Sequence, residues 1–508
     1  MTIRERRLGR RDLLRLGAGM AAAGIAGPAL AKLEAPRSPR FTPFTRELWF
    51  PPDLAPVDPG GSFFEVHMKE AWREILPGYE TRIWGYDGLF PGPTIRAEAN
   101  QPITVRFHND LPDAETSIHY HSGHTEAASD GHPNLLIEPG HHRDYHYSNK
   151  DAGDDENEQP TTGWYHDHAL DVTAYNVMQG LAGFYLSTCD LERTLVDDHR
   201  IPDRDGDLAL DVPLCIQDRR FTRDGQLFYD PLDHDGFLGD VYVVNGRAQP
   251  YFKVKRRKYR LRLLNGCNAR FLELRLSHGA FLRFGVDGWL LPKAVLQSRI
   301  LLASANRADV IVDFGDAPDV VYLENICVQE DGRGPEGDLA NHKVRIPGAP
   351  VLKFVVEGPK GRNDTTLSPE DLEPVRRNTP IQPGEIVATR VFEFERGNGA
   401  WQINGRFFDP KRDDATPKLG TAERWILRNK SGGWWHPIHL HLESHQVHRF
   451  NGRRVASPYK QDTVILGPND EAEVFIHFRD YTGQFVFHCH NVEHEDVRMM
   501  GQFNVKEG

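Results

Sequence analysis

At 508 residues the chain exceeds what one small core can organise, and about three domains are expected. Its 46 glycines and 35 prolines suit many short strands joined by turns better than long helices. A formal net charge of −12 argues against a nucleic-acid partner, because phosphate binding needs a basic face.

Residues 1–31 read as an address. Arg10-Arg11-Asp12-Leu13-Leu14 is similar to a twin-arginine export signal, a Gly/Ala-rich apolar run follows from Leu16, and Ala29-Leu30-Ala31 offers a small-residue cleavage site. The run falls short of the ~20 apolar residues of a membrane span, so no stable membrane anchor is expected. The expectation is export in folded form by the twin-arginine machinery, to the periplasm or the extracellular medium.

The mature chain then divides at two segments that read as linkers, Ser187 to Asp207, broken by Pro202 and Gly206, and the proline-rich stretch from Gly358 to Gly384. Domains are expected over 32–195, 196–370 and 371–508. Each contains a strand-like run ending in asparagine, at Asn109, Asn265 and Asn429. Asn109 and Asn429 each lie the same distance before a histidine, His119 and His439, and Arg275 holds that place in the middle domain. Asn245-Gly246-Arg247 and Asn404-Gly405-Arg406 form a second echo. Hydrophobic periodicity is mostly two, as in Val351 to Val356, Val474 to Phe478 and Gln484 to His488, which indicates an all-β chain of sandwiches.

Four His-X-His pairs stand out: His119/His121, His166/His168, His439/His441 and His488/His490. On a strand, residues i and i+2 share a face. The first and last domains each carry two pairs at nearly equal spacing, and the middle domain carries none. A metal cluster between the first and last domains is therefore expected. Cys489 sits between His488 and His490 and must face away from both. With His436, His494 and Met499 it makes the His2Cys plus weak Met set of a blue-copper electron-transfer site. The other cysteines, Cys189, Cys215, Cys267 and Cys327, read as buried small residues, with any disulfide pairing open.

These residues resemble the multicopper oxidases, most closely the branch of bacterial spore-coat laccases and bilirubin oxidases. The likeness is carried by His119-Tyr120-His121, Trp164 to Ala169, His436-Pro437-Ile438-His439-Leu440-His441 and His488 to Met500, joined by Arg257 to Arg262 in the middle domain. The resemblance implies three cupredoxin-like Greek-key β-sandwich domains and four copper ions. His436, Cys489, His494 and Met499 would hold the type 1 copper, and His119 and His439 the type 2 copper. The type 3 pair would take His121, His166 and His490 on one ion and His168, His441 and His488 on the other. Small reductants would be oxidised one electron at a time and O2 reduced to water. Glu495 and Asp130 would relay protons, or instead orient ligand imidazoles.

Phenols, aromatic amines and tetrapyrroles such as bilirubin are the implied reductants, with Trp434 and Trp435 available to line a pocket beside His436. Oxidation of Cu(I), Fe(II) or Mn(II) is the rival reading, and with only six methionines and no Met-rich insert a Cu(I) role is disfavoured. A copper-free structural role would predict missing ligands, whereas every ligand position is filled. Two departures from the family pattern are Ser122, where a glycine usually follows the first His-X-His, and His445 and His448, where apolar residues are usual. His108, His124, His132, His141, His142 and His146 read as exposed. A monomer is expected.

Overall fold

The computed structural model describes residues 33–205, 208–360, 375–377, 379–397 and 399–508. The export signal, and residues 361–374 and 378 of the Gly358 to Gly384 stretch expected as a linker, lie outside the described residues. Strands dominate and form three pairs of sheets in chain order. In the first, Thr81–Tyr86, Phe63–Arg73, Ile103–Asn109 and His142–Tyr147 make one sheet. Ile95–Glu98, Ala182–Thr188, Thr162–Asp167 and Ile118–His121 make the other. Inward residues of both, among them Val66, Val105, Phe107, Tyr120, Tyr165 and Tyr185, fill one core. The middle pair has seven and five strands, and the last has seven and four, each around its own core.

The asparagine echo has a structural cause. Asn109, Asn265 and Asn429 each end a strand that pairs in parallel with the first long strand of its sandwich. Each side-chain amide donates to the carbonyl five residues on, at Ala114, Arg270 and Trp434, and each side-chain oxygen accepts the N–H two residues on. The amide thereby satisfies backbone groups that the strand end leaves open. The second echo is a pair of tight turns: Asn245-Gly246 and Asn404-Gly405 all have positive φ, the backbone that Asn-Gly hairpin turns require.

Three expectations need correction. The Ser187–Asp207 segment is not simply a linker, since Asp190–Asp197 is a helix whose Leu195 clusters with Ile201 of the same segment and with Leu282, Phe284 and Ile311 of the middle sandwich. Its Glu192 is buried against Arg260 and Arg262, so the polar composition that suggested a linker is an internal ion network. His124 and His132 are buried and His108 is half-buried, not exposed. All five cysteines are free thiols; Cys189, Cys215 and Cys267 are buried as expected, whereas Cys327 is only half-buried. The stretch before the first strand also crosses domains. Leu48 joins the middle sandwich's core, and Phe44 and Leu48 bond to the backbone of Gln249 and Tyr251.

Candidate metal centre

The His-X-His pairs sit on neighbouring strands within each outer sandwich. Ile118–His121 pairs with Thr162–Asp167 so that His119 opposes His166, and His436–Leu440 pairs with Gly483–Cys489 so that His439 opposes His488. The two sandwiches face each other here with near two-fold correspondence. The His119 ring stacks on His441 and the His121 ring on His439, each at 3.7 Å. Eight imidazoles, none exposed, meet between the first and last sandwiches.

Their ring nitrogens converge in groups. His121, His166 and His490 form one, His168, His441 and His488 a second, and His119 and His439 approach at 3.3 Å between Nε2 atoms. Within the second group Nε2 of His488 lies 3.1 Å from His168 and 3.3 Å from His441. A separate group joins His436, Cys489 and His494, with Sγ 3.3 Å and 3.5 Å from the two Nδ1 atoms. Met499 is buried in the same core as Cys489, and its carbonyl accepts the Cys489 N–H. Alternation along the strand aims the thiol of Cys489 opposite to its two histidine neighbours.

Nearly every ring has one nitrogen engaged by the protein, which turns the other inward. Nδ1 of His119, His439 and His166 faces the carbonyls of Asp130, Asp462 and Asp167 at 2.6, 2.9 and 2.8 Å. His441 Nδ1 donates to the Asp130 carboxylate at 2.7 Å, and His436 and His494 use Nε2 toward Ser431 and the Asp235 carbonyl. His121 is the reverse case: its Nε2 is held by Asp462 at 3.1 Å, so Nδ1 is presented.

A metal fits this donor set. Nδ1 of His121 and Nε2 of His166 and His490 are buried without any hydrogen-bond partner, and each such orphan costs roughly 1–3 kcal/mol unless something binds it. Two imidazole ligands ~2.0 Å from one ion at a tetrahedral angle stand ~3.3 Å apart, close to the spacings found. Burial drives the rings of His119, His121, His439, His441, His490 and His494 well below the ordinary histidine range and brings His166 and His436 to about 3 and His168 to about 4. The rings are therefore neutral, as ligands must be. Burial also pushes the Cys489 thiol well up, so a thiolate here needs a cation beside it. Imidazole with thiolate and thioether selects copper.

Comparison with known proteins agrees. Multicopper oxidase family models match residues 67–187 and 355–508. The chain is 32% identical to the bilirubin oxidase of Albifimbria verrucaria, over 94% of this chain and 83% of that one. It is 31% identical to the laccase of Bacillus subtilis (strain 168), over 91% and 98%. The chain belongs to the multicopper oxidases. A crystal structure of laccase from Pediococcus acidilactici superposes with a TM-score of 0.78 at 28% identity, covering 93% of this chain and 95% of that one. As a member of this family the protein is a copper oxidoreductase that uses O2 as acceptor.

Both carboxylates singled out in the sequence lie in this multicopper oxidase's centre. Asp130 is fully buried, which pushes its carboxyl up. Glu495 reaches His488 Nδ1 at 3.1 Å and His168 Nδ1 at 3.6 Å. Burial alone would raise its carboxyl, but those rings bring it down to about 2. Trp434 packs beside the His494 ring at 5.7 Å, whereas Trp435 is buried against Phe271 and Ala303. His445 is fully buried with both ring nitrogens unpartnered, and His448 stacks on Phe475 at 3.8 Å; neither is in the Cys489 group.

Sequence reading missed Asp462, Arg307 and Trp401. Asp462 and Arg307 form a buried ion pair that also takes the Ser122 hydroxyl. Ser122 has φ of +83°, a left-handed backbone that glycine adopts more readily than serine. Its hydroxyl donates to Asp462 and accepts from Arg307 beside the histidine cluster. Trp401 comes from a distant strand and lies 3.9 Å from the His494 ring.

Proposed function

We propose that the protein is a laccase-like oxidase that takes electrons singly from small phenolic, aromatic or tetrapyrrole reductants and delivers four of them to O2, forming two waters. Four copper ions are assigned. The type 1 ion belongs to His436, Cys489, His494 and Met499, and the type 2 ion to His119 and His439. The type 3 pair belongs to His121, His166 and His490, and to His168, His441 and His488. Bound copper supplies one-electron acceptance from the reductant at the thiolate site and oxygen reduction at the histidine cluster.

The observation that carries this reading is the position of Cys489. Its sulfur belongs to one ligand group, while its own peptide bonds join it to His488 and His490 in the other. The chain thus links the reductant side to the oxygen side covalently. The four protons that O2 needs are assigned to relay from solvent through Glu495 and Asp130, which contact His488, His168 and His441. A narrow cleft lined by His119, Trp289, His439 and Asp462 adjoins the cluster. Trp401 and Trp434, both buried, pack against the His494 ring, and the Arg396 guanidinium lies 5.3 Å from both indoles. Twin-arginine export to the periplasm or beyond, three domains over 32–195, 196–370 and 371–508, and a monomeric state complete the proposal.

Oxygen consumption with a phenol, an aromatic amine, bilirubin, Cu(I), Fe(II) and Mn(II) as alternative donors tests it. The aromatic donors should turn over with one O2 consumed per four electrons. Turnover of metal ions alone would replace the aromatic reading with a metal oxidase.

A further inference from the structure

A cavity of about 410 Å3 lies between the middle and last sandwiches, within the range of roughly 300–1,000 Å3 usual for small-molecule sites. Neither the His436, Cys489 and His494 group nor Trp401 or Trp434 is among the described residues that wall it. One wall is the edge strand Thr463–Leu466. Val464 and Leu466 point into the last sandwich's core, so alternation turns Thr463 and Ile465 toward the cavity. The same strand pairs with His436–Leu440, setting Thr463 opposite His439 and Ile465 opposite Pro437. Leu301, Leu339 and Ile465, all at the cavity wall, also pack against Trp435, the residue before His436. The cavity is thus one strand away from the strand that carries His436, His439 and their neighbours.

Its lining names a ligand class. Most of the wall is apolar, with Val286, Ile300, Val447, Phe450 and Val455 joining the residues above. Against them stands Arg283. The strand Phe281–Val286 slips register between Arg283 and Gly285, and such bulges re-aim side chains. Arg283 Nε donates to the Gly285 carbonyl at 3.2 Å, which holds the guanidinium at the wall instead of letting it extend. Among the described residues no carboxylate pairs with it, and Asp287 and Asp309 act on it only from beyond ion-pair distance. The cavity's other arginine, Arg299, meets Glu273 at 3.2 Å. Burial lowers the pKa of Arg283, as expected of a cation without a counter-charge, yet a guanidinium stays protonated at neutral pH. An unpaired guanidinium in mostly apolar walls recognises a carboxylate carried on an apolar body. The rings of Phe450 and Tyr459 suit an aryl body.

We propose that this cavity binds one small aryl carboxylate, its carboxylate on Arg283, at a site separate from the electron-accepting group. The site does not depend on which reductant the enzyme oxidises, because binding alone reports it.

The test is calorimetric titration of copper-loaded holoenzyme at neutral pH with naphthoate, which has no phenol to oxidise, beside naphthamide, its uncharged counterpart. One equivalent of naphthoate should bind saturably, at least about tenfold more tightly than the amide. Arg283→Gln should bring naphthoate down to the amide's affinity. Because Arg283 sits on a bulged strand, a second variant is read with it: Val455→Trp, at a half-buried position, fills the cavity and should remove binding of both probes. Copper content should stay as in the parent in both variants, and a neutral phenol should keep its KM in saturating naphthoate. No saturable binding by the parent, equal binding of the two probes, full naphthoate binding by either variant, or a KM that rises in proportion to naphthoate would overturn the proposal. None of these results touches the buried centre's assignment, because copper content and turnover are read separately.

Discussion

The buried histidine cluster lies between two sandwiches, so whatever clamps them governs it. Glu158 of the first sandwich is buried, and its carboxylate meets Lys460 Nζ at 3.0 Å, Arg479 Nη1 at 3.0 Å and Ser444 Oγ at 3.0 Å, all from the last sandwich. Burial would raise this carboxyl, but Arg479 and Lys460 outweigh it and hold it at about 2. Measured from an ordinary glutamate, that depression corresponds to about 3 kcal/mol. Arg479 retains Glu443 at 2.9 Å if Glu158 is neutralised. Lys460 would lose its carboxylate, and burial already brings it down to about 8, so it would move toward neutrality and limit the loss.

Glu158→Gln should therefore destabilise the copper-free protein by about 3 kcal/mol at pH 7, the scale of breaking a buried pair. A carboxyl whose folded pKa is depressed stabilises fully above its unfolded pKa of ~4.3, and the contribution fades as pH falls through about 2. Thermal scans of parent and variant should differ by ~5–10 °C in their first transition at pH 7 and converge between pH ~4.5 and 2. The variant should also release copper to a chelator faster at pH 7. No difference at pH 7, or a gap that stays constant to pH 2.5, would refute the reasoning.

Asp462→Asn removes the charge that fixes His121 and leaves buried Arg307 with Asp287 as its remaining carboxylate. Copper content after chelator challenge should fall, with affinity at the His121 group weakened ~10–100-fold, and unchanged retention would count against it. Glu495→Gln should slow oxygen reduction while the blue absorption and copper content stay intact; a full-rate variant would remove Glu495 from the proton path.

The convergence of these histidines and of Cys489 was legible because each carries its own local signal: two histidines one residue apart on a strand, repeated at matched spacing, and a cysteine trapped between two of them. The asparagine echo was visible for a similar reason, since one side chain solves the same backbone problem at three strand ends. What was not legible arises from chain segments meeting at a distance. Asp462 is a lone acid between short strands until Arg307 and His121 are brought to it. Trp401 gains meaning only beside His494. His124 reads as a surface residue from its polar neighbours, yet Asp480 and the Leu442 carbonyl of the last sandwich enclose it. The helix at Asp190–Asp197 was hidden by charges that prove to be internal partners.

The central claim is that one sulfur defines the electron-accepting site and is wired through its own backbone to the oxygen-reducing one. Optical spectroscopy with copper quantification, on the parent protein and on Cys489→Ser, tests it most directly. The parent should hold about four coppers per chain with an intense blue band. The variant should lose the band, about one copper and reductant oxidation. A Cys489→Ser protein that stays blue and fully active would contradict the account.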